Sequence, residues 1–124
     1  MNIILFDFEV FKQDTLLGAL LLNNESYDTY QTWNLDETRQ FYQEHKNDIW
    51  IGHNNSGYDN FILQSIVRGS DERMVKMTSD SIIHGNRKKY LDIQLYYYDL
   101  IMNQLLKVNS FKQCYKIMVL NLFL

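Results

Sequence analysis

The sequence contains no proline, so it has no proline-rich linker. It has one cysteine, Cys114, which rules out an internal disulfide and fits a reducing compartment. No stretch reaches the roughly 18–20 apolar residues that span a bilayer. No basic segment precedes the N-terminal apolar run, as it would in a secretory signal. These absences predict a cytoplasmic location and no membrane partner. An excess of positive charge is missing too. Twelve Lys and Arg face fifteen Asp and Glu, for a formal net charge of -3. That argues against coating nucleic acid by bulk charge. It leaves open an enzyme that meets phosphate through bound metal ions, which invert the local sign. Internal repeats and low-complexity segments are also absent.

What is present is a core-forming composition. Of 124 residues, 46% are hydrophobic and 15% aromatic, enough for one domain, 1–124, with a real interior. Asn2–Phe8 (NIILFDF) and Thr15–Leu22 (TLLGALLL) read as buried strands, and Tyr27–Trp33 alternates like a third. Asn34 has the chemistry of a helix N-cap, with Glu37 as its capping-box partner. Thr38, Phe41, Tyr42 and His45 then share one helix face. Asp48–Gly52 (DIWIG) reads as a short strand, and a polar loop follows at His53–Gly57. A second helix is expected from Ser56, with Tyr58, Phe61, Ile62, Ser65 and Ile66 inward and Gly69 as its stop. Ser70–Asn86 reads as irregular and Tyr90–Asp99 as a strand. A last helix is expected from Asn109 or Ser110. The order is β-β-β-α-β-α-β-α, an α/β fold whose mixed sheet opens with an antiparallel three-strand meander.

The chemistry starts at Asp7 and Glu9. Their i, i+2 spacing puts both side chains on one face of a strand. Two such acids repel, and a hard Mg²⁺ or Mn²⁺ ion would relieve that repulsion. The alternative is a solvated pair of acids at a strand end. Asp59 falls in the first turn of the second helix, where the helix dipole favours a carboxylate. That position alone requires no metal.

Together the segments resemble the DnaQ-like (RNase H-like) 3′–5′ proofreading exonuclease domains of phage and prophage DNA polymerases, the protein-primed polymerases among them. Asp7-Phe8-Glu9 is similar to the first motif, DxE, and Asn55-Ser56-Gly57-Tyr58-Asp59 to the second, N-x₂₋₃-(F/Y)-D. Tyr98-Asp99 and the later Asn109-Ser110-Phe111-Lys112 are similar to segments of the same polymerases. The resemblance implies that Asp7, Glu9 and Asp59 hold two Mg²⁺ or Mn²⁺ ions about 4 Å apart. One ion would activate water and the other would stabilise the leaving 3′-oxygen. It further implies that Asn55, or Asn54 at the longer spacing, faces the terminal nucleotides of single-stranded DNA. His53 is a further loop candidate. Phe8, Phe11 and Tyr58 are candidate stacking surfaces; core packing is the competing reading, preferred for Phe8 and Tyr58. The implied location is a bacterial host's cytoplasm.

The third motif of the family carries a Tyr and a final Asp, and residues 115–124 contain no acid after Tyr115. The expected domain is therefore C-terminally truncated, with an atypical apolar tail at 116–124. A protein partner or a second copy would cover that tail. Loss of the third motif leaves two readings open: an exonuclease, or a non-catalytic binding protein that inhibits, decoys or triggers. Asp99 reads as a strand-end or turn acid. Arg87, Lys88, Lys89, Lys107, Lys112 and Lys116 could track phosphates, although short charge runs usually form solvated surface.

Overall fold

The computed structural model describes residues 2–86 and 90–102, which form five strands and three helices. β1 (Ile3–Val10), β2 (Thr15–Leu22) and β3 (Tyr27–Thr32) make the expected antiparallel meander. β4 (Ile49–Gly52) pairs in parallel with the other edge of β1, and β5 (Tyr96–Asp99) in parallel with β4. The sheet order is β3-β2-β1-β4-β5. Parallel neighbours need crossovers. Helix α1 (Leu35–His45) supplies the one into β4, and α2 (Asp59–Val67) with α3 (Glu72–Ile83) the one into β5. The protein is thus α/β with a mixed sheet. β1 runs two residues further than the apolar pattern indicated, because Glu9 and Val10 still pair with Leu16 and Thr15.

Strand alternation assigns the faces. Ile4, Phe6 and Phe8 of β1, Leu17 and Ala19 of β2 and Trp50 of β4 join one core with Phe41, Tyr42, Ile62, Leu63, Ile66, Val75 and Ile82 of the helices. Trp50 is fully buried, with ring contacts to Phe6 at 5.1 Å and Phe41 at 5.6 Å. Its indole N–H donates to the His45 carbonyl at 2.9 Å, so the polar end of the side chain is satisfied. Asp7 and Glu9 pair across with Gly18 and Leu16, out of register with this core face.

The start of α1 differs from the expected capping box in one bond. Asn34 Oδ1 accepts the Glu37 N–H at 3.0 Å, as predicted. The Glu37 carboxylate does not return to the Asn34 N–H. It accepts from the Thr32 hydroxyl at 2.9 Å, and Thr32 Oγ1 accepts the Asn34 N–H at 3.0 Å. Threonine relays the bond because β3 ends directly against the cap. Thr38, Phe41 and Tyr42 are buried on the predicted face.

Two expectations fail between residues 70 and 99. The stretch read as irregular contains α3, capped by Asp71, whose carboxylate accepts the Met74 N–H at 2.9 Å. Its buried residues are Val75, Ser79 and Ile82, spaced i, i+4, i+7. A serine in the middle of the stripe hid the helical period. Ser79 is tolerated inside because its hydroxyl bonds Tyr58 Oη at 2.7 Å. The strand expected over 90–99 exists only at Tyr96–Asp99. Before it, the chain's polar groups are met by side chains. Gln64 Oε1 accepts from the Asp92 N–H at 2.5 Å, and Gln64 Nε2 donates to the Tyr90 carbonyl at 3.3 Å. Tyr42 Oη donates to the Gln94 carbonyl at 2.5 Å. A buried glutamine therefore stands in for a neighbouring strand.

The second helix also begins later than expected, at Asp59 rather than Ser56. Gly69 ends it as predicted, at a φ of 101°. Among the described residues no helix is long and apolar enough to cross a membrane. The expected helix from Asn109 or Ser110, Cys114, the 116–124 tail, and Arg87, Lys88, Lys89, Lys107, Lys112 and Lys116 lie outside the described residues.

Candidate functional site

β1, β4 and β5 are mutually parallel, so their carboxyl ends lie on one side of the sheet. Open α/β sheets place ligand sites beyond such ends. The register of β1 with β4 runs as far as Leu5 and Ile51, and β1 continues beyond it. In that continuation the Phe8 N–H donates to Asp59 Oδ1 at 2.9 Å. Asp59 is the first residue of α2 and is 4% exposed. A single backbone amide thus pins the helix start against the strand that carries Asp7 and Glu9.

The electrostatics confirm that the three carboxyls sense one another. Asp7 is raised from 3.8 to about 7, first by burial, then by the charge of Glu9 and a shared hydrogen bond with it. Bonds involving Asp59 and the Phe8 amide act in the opposite direction. Asp59 is pushed well above the usual carboxylate range by burial and then by the charge of Asp7, against the Phe8 N–H. Among the described residues, neither carboxyl has a lysine or arginine among these influences. An all-oxygen, uncompensated donor set of this kind suits Mg²⁺ or Mn²⁺. Among the described residues, however, no three His, Cys, Asp or Glu side chains converge into a ready cage. Asp59 accepts the Phe8 N–H with one oxygen, and Glu9 is exposed. The donor chemistry fits the ion.

The loop between β4 and α2 is organised from outside itself. Asp99, at the end of β5, accepts the Asn54 N–H at 3.0 Å, the Ser56 N–H at 3.0 Å and the Ser56 hydroxyl. It also accepts the Ile101 N–H at 2.9 Å. Asp99 is 1% exposed, and burial alone would raise its pKa. The Ser56 bonds and the other amides outweigh burial and hold it below its ordinary value. The loop can meet these demands because Asn54 adopts a φ of 63°, a conformation asparagine tolerates better than most residues.

The site residues expected from sequence separate into distinct roles. Asp7, Glu9 and Asp59 come together. Asn55 does not face outward: it is fully buried, and its Nδ2 donates to Asn60 Oδ1 at 3.1 Å. Its carbonyl accepts the Asn60 N–H at 2.9 Å, so Asn55 builds the turn into α2. Asn54 is the exposed asparagine of the pair, and His53 is half-buried at the loop start. Phe8 takes the preferred reading, a core residue, and drops out as a stacking surface; it is 3% exposed and packs edge-on to Phe6. Tyr58 is half-buried, and its hydroxyl ties the loop to Ser79 of α3. Phe11 is 51% exposed. Sequence reasoning missed Ser56 and Asp99 as partners. The usable signal was an acid at a strand end facing a loop rich in unpaired amides.

Gly52 and Asn55 make a further constraint. A Cβ at Gly52 would stand 2.6 Å from Asn55 Cβ and 2.7 Å from Asn55 Cγ. Asn55 has no room to retreat, being fully buried. Gly52→Ala is expected to destabilise the protein by about 1–3 kcal/mol, seen as a lower urea midpoint at unchanged slope.

Pockets elsewhere do not include the acids. One of about 280 Å³ lies between α2 and α3, lined by Phe61, Arg68 and Met74 among others. Another, of about 790 Å³, lies along the β4–β5 edge at Ile49 and Tyr96–Tyr98. Compared with family models, with curated proteins and with solved structures, the chain has no match.

Proposed function

We propose that the chain is a metal-dependent 3′–5′ exonuclease domain of the phage DNA polymerase type, acting on single-stranded DNA ends. The observation that carries this reading is the meeting of Asp7, Glu9 and Asp59, from segments about fifty residues apart, with no basic side chain among the described residues acting on Asp7 or Asp59. The mixed sheet opened by an antiparallel meander is in keeping with the RNase H-like architecture that the motifs imply.

Asp7, Glu9 and Asp59 would hold Mg²⁺ or Mn²⁺. The bound ions would supply a water of lowered pKa and offset charge at the phosphate. The chain's own contribution is positioning. The Phe8 amide fixes the Asp59 carboxylate, and the sheet fixes Asp7 against Glu9. Asn54, exposed on the loop that leads into Asp59, would contact an incoming 3′ end. Asp99 holds that loop in shape.

The test is direct. Purified protein with Mn²⁺ is mixed with a 5′-labelled single-stranded oligonucleotide, beside Asp7→Ala and Asp59→Ala. Stepwise shortening by wild type is expected, slowed about 100-fold or more in each variant. Equal shortening by all three would assign the activity to a contaminant and sink the catalytic reading. One observation favours a second reading, a non-catalytic binding protein that inhibits, decoys or triggers: the acids do not converge into a cage. On that reading calorimetry with Mn²⁺ gives no heat and the oligonucleotide stays intact.

A further inference from the structure

Past Glu9 the chain turns at Phe11, whose N–H donates to the Asp14 carbonyl at 2.8 Å. Phe11 is 51% exposed, and its ring lies 5.8 Å from that of Trp33, inclined by 32°. Trp33 is 52% exposed and directly follows β3. Two large aromatic side chains therefore cover each other only in part and present their remaining surface to solvent. Isolated exposed apolar residues are ordinary; a contacting pair of them is less so.

The location of the pair is informative. β1 and β3 both run antiparallel to β2, so both end at the same end of the sheet. Glu9 is opposite Leu16, and Leu17 is opposite Thr32. Trp33 follows Thr32 directly, so it leaves β3 at the same end of the sheet at which β1 passes Glu9. The same turn carries mixed charge, Lys12 and Asp14, and faces Asp71 and Glu72 at the start of α3. Lys12 and Gln13 line a pocket of about 430 Å³ with Glu72, Arg73, Lys76 and Met77 of α3. Lys76 is paired with Asp80 at 2.8 Å, whereas Lys12 and Arg73 are exposed.

We propose that Phe11 and Trp33 form a stacking platform for a nucleobase of single-stranded DNA, with the exposed Lys12 of the same turn meeting an adjoining phosphate. Aromatic faces beside cationic side chains are the combination that binds single strands irrespective of sequence, because every base offers a π face. An acidic protein needs such a local device, since its overall charge repels the strand. The identity of the ligand rests on the exonuclease reading of the neighbouring carboxylates, whereas the aromatic pair and its position do not. The platform explains how a strand end is retained beside carboxylates that would themselves repel it.

The experiment measures binding without turnover. A fluorescein-labelled oligothymidylate is titrated with the full chain in EDTA and followed by anisotropy. Phe11→Ala, Trp33→Ala and Trp33→Phe are compared with wild type, each checked for folding by circular dichroism. Mn²⁺ binding is measured on the same proteins by calorimetry. Stacking by one base predicts about 5- to 100-fold weaker binding for each alanine variant. Trp33→Phe should retain most of the affinity, and Mn²⁺ binding should be unchanged in all three. An abasic strand of the same length should bind wild type as weakly as the normal strand binds Trp33→Ala. Equal affinity of wild type and both alanine variants would overturn the platform while leaving the metal site intact. Wild type that binds Mn²⁺ but no oligonucleotide overturns it too. Wild type that binds neither overturns the platform and the exonuclease reading together.

Discussion

Replacing Asp99 by alanine is expected to lower stability by about 3–5 kcal/mol and to release the loop from Asn54 to Ser56. The basis is the number of donors that depend on one carboxylate. The amides of Asn54, Ser56 and Ile101 and the Ser56 hydroxyl all end on Asp99. Each loses a charged acceptor at once, and Asn54 loses the support for its positive φ. Urea denaturation reads the loss. Ser56→Ala removes only the hydroxyl bond, so it should cost about 1 kcal/mol. The pH dependence follows from the direction of the shift. The folded-state pKa of Asp99 is depressed, so its contribution is complete above the ordinary value of 3.8 and is lost as pH falls through the lower folded value. A wild-type stability curve without that acid-side loss would show that Asp99 is not held ionised by these bonds.

The second large effect has the opposite sign. Asp7→Asn is expected to stabilise the metal-free protein at neutral and alkaline pH. Asp7 titrates near 7 when folded against 3.8 as a free side chain. A raised carboxyl is favoured in its protonated form by the fold. Wild type therefore loses stability as pH rises from about 4 to about 7, and the loss levels off above the folded value. The full shift corresponds to a ceiling of roughly 4 kcal/mol. The asparagine variant should lack that slope and match wild type near pH 4. Mn²⁺ should raise the melting temperature of wild type at pH 8 and leave that of Asp7→Asn nearly unchanged. A wild-type protein as stable at pH 8 as at pH 5, with no response to Mn²⁺, would remove the case for strained carboxylates. Stability held back in this way at a site is the usual relation between fold and activity.

Much of this was legible before the structure. The meander, β4 and Asn34 as the first-helix cap follow from apolar runs and cap chemistry, whereas the grouping of Asp59 with Asp7 and Glu9 was implied only by the resemblance of their two motifs to the exonuclease family. What failed did so for physical reasons. α3 was hidden because Ser79 interrupts its apolar stripe, and a buried serine is acceptable only with a partner such as Tyr58. The segment before β5 looked like a strand because its alternation is real. Its polar groups instead reach Gln64 and Tyr42, a substitution that no local pattern announces. Asn55 was read as a substrate contact because its motif position is visible in sequence, whereas its complete burial is a tertiary fact. Asp99 was undervalued for the same reason: its partners lie more than forty residues earlier.

Those separations bear on how the molecule comes into being. The bonds that shape the loop and fix Asp59 span 45, 43 and 51 residues. A hairpin such as β1–β2 closes as soon as its own residues are made. The loop must wait until the chain has been translated through Asp99 and β5 has docked beside β4. Closing contacts of that range is the slow part of folding. Sheet and carboxylates therefore mature on different schedules, and a nascent chain carries its acids on a growing sheet well before the loop around Asp59 acquires its final shape.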